Sequence, residues 1–180
     1  MNSKMIIGAL VGGLLIFIWQ FLSWSMLNLH GSNQQYTPNQ DAILECLSTN
    51  LPEGGSYFMP NVPPGTPTED HQKIMESSIG KPWAIVSYHK SFNMSMGMNM
   101  TRGFLADVVA VFLLCWLLGQ MTSVSMQKSI MLSIAVGMIG YLTTSYTNAV
   151  WFEVNSMPEL IDALVSWGLC GAWLGFWLKR

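Results

Sequence analysis

A helix rising about 1.5 Å per residue needs roughly 20 apolar residues to cross the hydrocarbon of a bilayer, where only a helix or a closed barrel satisfies its own backbone polar groups. Four runs of this chain reach that length. The first, residues 5–27, reads MIIGALVGGLLIFIWQFLSWSML and follows a single cation, Lys4. The others are expected at residues 101–121, 129–152 and 158–178, the last opening on a proline suited to a first helical position. The expected fold class is therefore a mainly α membrane protein, a four-helix bundle embedded in the bilayer. Composition agrees: 51% of the 180 residues are hydrophobic and 10% charged, a balance that ordinary soluble domains do not show. A net charge of −2 with no basic block gives nucleic acid nothing to bind.

The first run is longer than the apolar region of a secretory signal, so it is read as an uncleaved anchor, with Trp19 and Trp24 at an interfacial aromatic belt. After it the composition turns polar and takes seven of the eight prolines. A short helix is expected in NQDAILECLSTN, capped by Thr37 with Pro38 in its first turn, and a second helix from Thr68 to about Ser78. SYFMP and WAIVSYH read as strands. The expected organisation is thus helix 1 over residues 1–28, a small extracytoplasmic α+β cap over 29–100, and helices 2 to 4 over 101–180. Lys4, Lys128, Lys179 and Arg180 all fall on one side of that arrangement. By the positive-inside rule that side is cytoplasmic, with both ends of the chain inside and the cap outside.

Ionisable groups within the apolar runs carry the functional expectations, because a charge at membrane depth costs about 2.5 to 3.5 kcal/mol on insertion scales and normally has a partner. Asp107 lies about six residues, or roughly 9 Å, inside the second run. Asp162 lies one turn into the fourth run, and Tyr146 and Asn148 lie near the outer end of the third. With Glu159 and Arg102 at the rim, these six residues form a candidate polar or ion site. Arg102 and Asp107 stand about 140° apart around a helix, so Arg102 is expected to reach an acid on another helix, Glu159 or Asp162. A hydrogen-bonded plug that sets helix register and docks the cap is the plainer reading of the same residues.

The chain is methionine-rich, and Met94, Met96, Met98 and Met100 alternate. If extended, they would project from one face, where soft thioethers with His89 nearby would suit Cu(I), the one metal cofactor this sequence brings forward. Packing at the junction of cap and membrane is the alternative. His30 and His71 stand alone and read as surface residues. The three cysteines form no C-x-x-C, and Cys115 and Cys170 read as small core residues. No nucleophile elbow, H-E-x-x-H or phosphate loop is present, so no enzyme is expected and no catalytic residue is assigned.

Three stretches carry a resemblance: WQFLSWSML at residues 19–27, SYFMPNVPP at 56–64 and PELIDALVSWGL at 158–169. In order and kind they resemble a family of small four-span bacterial inner-membrane proteins with an external insert after the first helix. The resemblance implies the topology and no activity. The leading expectation for function is a non-enzymatic accessory or assembly subunit. It would meet a larger membrane complex, or a second copy of itself, through Gly8 and Gly12 of the first helix and Gly168, Gly171, Ala172 and Gly175 of the last. The alternative is handling of Cu(I) or transport of a small cation, using the methionine run and the intramembrane acids.

Overall fold

The structure is a computed structural model that describes residues 3–179; Arg180, one of the residues used for orientation, lies outside them. In chain order the elements are α1 (Ser3–Met26), α2 (Gln40–Asn50), β1 (Gly55–Met59), α3 (Thr68–Ser78), β2 (Ala84–Tyr88), α4 (Met96–Gly119), α5 (Met126–Phe152) and α6 (Met157–Trp177). Helices α1, α4, α5 and α6 are long and apolar enough to cross a membrane. Two compact units result: one holds the four long helices and the other is Tyr36–Met94.

Within the first unit α1 packs between α4 and α6, and α6 packs on α5. Helices α4 and α5 touch only slightly, so the four form the row α4–α1–α6–α5 rather than a closed bundle. Small residues make the close approaches. A Cβ at Gly12 would lie 2.7 Å from Val111 Cγ1, and one at Gly171 or Gly175 would lie 2.8 Å from the Cα of Ile130 or Met126. Of the small residues expected to meet another protein, Gly8, Gly12, Gly171 and Gly175 thus face the chain's own helices. Trp173 and Trp177 of α6 strengthen the same contact, their indole N–H groups donating to the carbonyls of Gly8 (3.1 Å) and Lys4 (2.8 Å).

Apolar burial gathers in the half of the row nearest Lys4 and Trp177. Ala9 and Ile16 of α1, Val111, Leu114, Cys115 and Leu118 of α4, and Cys170 and Leu174 of α6 form one core there. Both membrane-segment cysteines are thus packing groups, while Cys46 is exposed. The other half of the row is where the polar residues collect.

In the second unit β1 and β2 pair antiparallel, with Tyr57 opposite Val86, and Lys90 meets Glu53 at 2.9 Å beside the strand ends. Helix α3 begins at Thr68, but α2 begins two residues beyond Pro38. Thr37 Oγ1 accepts from the N–H of Asn39 (3.3 Å), a local turn completed before the helix starts, and so does not cap it.

A candidate cation site at the polar end of the helix row

The last turn of α1 is π-helical, and just beyond it Asn28 takes a left-handed conformation (φ 48°) that a short polar side chain tolerates. A 3-10 turn over Leu29–Asn33 follows, and the chain folds back on its own helix. The result is that His30 lies flat on Trp24, with ring centroids 3.9 Å apart and planes 5° from parallel. It is only 4% exposed. The expectation of a surface His30 is therefore wrong, and this residue is the centre of the site.

Two acids of α6 face that ring. Glu159 and Asp162 are three residues apart, which puts them on one helical face. His30 Nε2 lies 2.9 Å from Asp162 Oδ2, and Nδ1 lies 3.5 Å from Glu159 Oε1 without forming a hydrogen bond. The second oxygen of Asp162 accepts from the indole N–H of Trp19 at 2.9 Å. The next residue on α1, Gln20, points about 100° away around the helix and donates to Asp107 Oδ1 at 3.2 Å. Consecutive residues of α1 thus hold two acids that come from helices on either side of it. Asp107 and Asp162 each have their own donor.

These groups line one cavity of about 620 Å³. Its polar wall includes Gln20, His30, Asp107, Glu159 and Asp162, its aromatic wall Phe17, Phe21, Trp24 and Trp167, and Met96 and Met100 also line it. Among the described residues no lysine or arginine lines it. Three of its buried acceptor atoms, His30 Nδ1, Asp107 Oδ2 and Glu159 Oε2, have no hydrogen-bond partner. A buried acceptor without a donor is costly, so each of these atoms can take an electropositive partner.

The remaining expected site residues are distributed differently. Asn148 lines a second cavity of about 590 Å³, with Ser32, Asn33, Glu153 and Asn155, which shares Glu159 with the first. Tyr146 is half exposed and turns its ring toward Tyr141, while Ser145 is the α5 residue that lines the first cavity. Arg102 is exposed and forms no ion pair among the described residues; His30 takes the place expected for it. The methionine run is not extended. Residues 96–100 are the first turns of α4, and helical geometry puts Met96 and Met100 on one face and Met98 on another. His89 belongs to the second unit, where its Nε2 lies 3.3 Å from Ser87 Oγ. Trp19, Gln20, Trp24 and His30 are the contributors that sequence reasoning missed. Among the described residues no three His, Cys, Asp or Glu side chains converge as a metal site would require. Comparison with protein-family models, curated proteins and solved structures found no match.

Proposed function

We propose that this chain is a multi-pass membrane protein without catalytic activity that binds a cation in the cavity between α1, α4 and α6, in the service of metal handling or small-cation transport. The observation that carries this reading is the buried His30, held by Asp162, in one cavity with two further carboxyl groups and, among the described residues, no Lys or Arg side chain. In a poorly hydrated site three carboxyls and one imidazole leave a negative balance that a cation offsets. The four apolar helices, the basic residues Lys4, Lys128 and Lys179 at one end, and the resemblance described above support a bacterial inner membrane. In that membrane both chain ends face the cytoplasm, and the cavity and the Tyr36–Met94 unit face outward. A reporter active only outside the cytoplasm is expected to work when fused near residue 62 and to fail near residue 124; the reverse pattern would invert the topology.

Trp24 and Trp167 make the cavity observable by intrinsic fluorescence. The purified protein in detergent, titrated at constant ionic strength with Na⁺, K⁺, Ca²⁺, Ag⁺, methylammonium and choline, is expected to give a saturable response to at least one of them. Asp107→Asn, which removes the ionisable group and keeps the Gln20 contact within reach, is expected to weaken that response by at least about tenfold, the equivalent of about 1.4 kcal/mol. Absence of any saturable response would overturn the cation reading. It would leave the accessory-subunit reading, which the strong exposure of Phe92 (85%), Ile79 (80%) and Tyr36 (78%) in the second unit favours.

A further inference from the structure

Building on the cation reading, we infer that the cation is Cu(I), held by His30 Nδ1 and the thioethers of Met96 and Met100. The imidazole is oriented for this role. A carboxylate only accepts hydrogen bonds, so Asp162 Oδ2 at 2.9 Å takes the hydrogen of Nε2, and in the neutral imidazole the lone pair is then on Nδ1. Trp19 anchors the other oxygen of the same carboxylate, and the face of Trp24 fixes the ring plane. A carboxylate on one nitrogen that prepares the other for a metal is the usual outer-shell device of histidine metal sites. Nδ1 is buried without a hydrogen-bond partner, and the nearest charged atom, Glu159 Oε1 at 3.5 Å, is itself an acceptor. With the imidazole neutral, Nδ1 and Glu159 Oε1 are two acceptors facing each other, which a metal cation relieves.

Ligand softness then selects the metal. Ca²⁺ takes six to eight oxygens, and Zn²⁺ is normally held by three or four His, Cys or carboxylate groups. Among the described residues no three such side chains converge, so neither set is built here. What the cavity does supply beside the imidazole is a pair of thioethers one helical turn apart on α4. Thioethers are neutral, need no deprotonation and favour Cu(I). One imidazole and two thioethers carry no charge, and the carboxyls of Glu159 and Asp107 at the same cavity attract a monovalent ion without being required as ligands.

The test is competition for Cu(I), supplied under reducing conditions and buffered by a chromophoric chelator, using the full-length protein in detergent. One Cu(I) is expected to bind per chain. The double substitution Met96→Leu with Met100→Leu is expected to raise Kd more than about tenfold, beyond the lower range for loss of an outer-shell group. Both methionines are largely exposed, at 59% and 42%, and Met to Leu conserves volume, so the variant folds. Met94→Leu with Met98→Leu is the control and is expected to bind as the parent does. Equal binding by all three proteins, or no Cu(I) binding, would overturn the inference. If Cu(I) fails while another cation gives the saturable fluorescence response, the inference falls and the cation cavity stands.

Discussion

Gly13→Ala is expected to destabilise the protein, while the same change at Gly97 does not. A Cβ at Gly13 would lie 2.8 Å from the backbone N of Val108, 2.9 Å from its Cα and 2.8 Å from its Cγ2. Backbone atoms cannot rotate away, so α1 and α4 must separate. That separation loosens the contact in which Ile16 and Val111 are 3% and 0% exposed. Overpacking of a well-filled core costs about 1 to 3 kcal/mol, and a chain of this length loses about 2 to 4 °C in Tm for each kcal/mol. At Gly97, in the first turn of α4, a Cβ meets nothing within 4 Å. There Ala removes the entropic penalty of Gly, worth about 0.5 to 1 kcal/mol. Thermal unfolding in detergent is thus expected to move down by several degrees for Gly13→Ala and to hold or rise for Gly97→Ala. Equal shifts would mean that α1 and α4 do not meet at Gly13.

The long helices were legible because hydropathy summed over about 20 residues does not depend on which residues later touch. The expected bounds differ most at the start of α4, which begins at Met96 instead of near Thr101. There the alternating methionines imitated a strand, yet Met is a good helix former, and joined to a following apolar run it extends the helix. Glycines at membrane spacing announced close approach, but not to what. Gly12, Gly171 and Gly175 fit equally well against another protein and against this chain's own helices, and the second holds.

The site was half legible. Asp107, Glu159 and Asp162 were visible because acids inside apolar runs are anomalous wherever the helices go. Their partners were not. His30 lies outside every run, and its burial depends on the left-handed turn at Asn28 and on an acid 132 positions further along the chain. Arg102 was the nearest cation by sequence, and sequence proximity does not decide which side chain an α6 acid meets. Trp19 read as a belt residue and Gln20 drew no reading, since their roles appear only when α4 and α6 flank α1. The i,i+3 spacing of Glu159 and Asp162 was the one available hint that a single group sits between them.

His30→Ala is expected to abolish the saturable cation response and to lower stability together. The substitution leaves Asp162 Oδ2 without its partner and uncovers the face of Trp24. An unsatisfied acceptor costs about 1 to 3 kcal/mol where fully buried and less at a part-buried group such as Asp162. His71→Ala and His89→Ala, which lie in the second unit, are expected to do neither. The decisive measurement needs no substitution: ¹⁵N NMR of the full-length protein labelled at its three histidines, recorded during titration with each cation of the fluorescence series and with Cu(I). The expected result is that the cation giving the saturable response moves the Nδ1 resonance of His30 in proportion to occupancy, while Nε2 keeps its bond to Asp162 and His71 and His89 stay still. Saturation by that cation with His30 unmoved would contradict a cation site in this cavity.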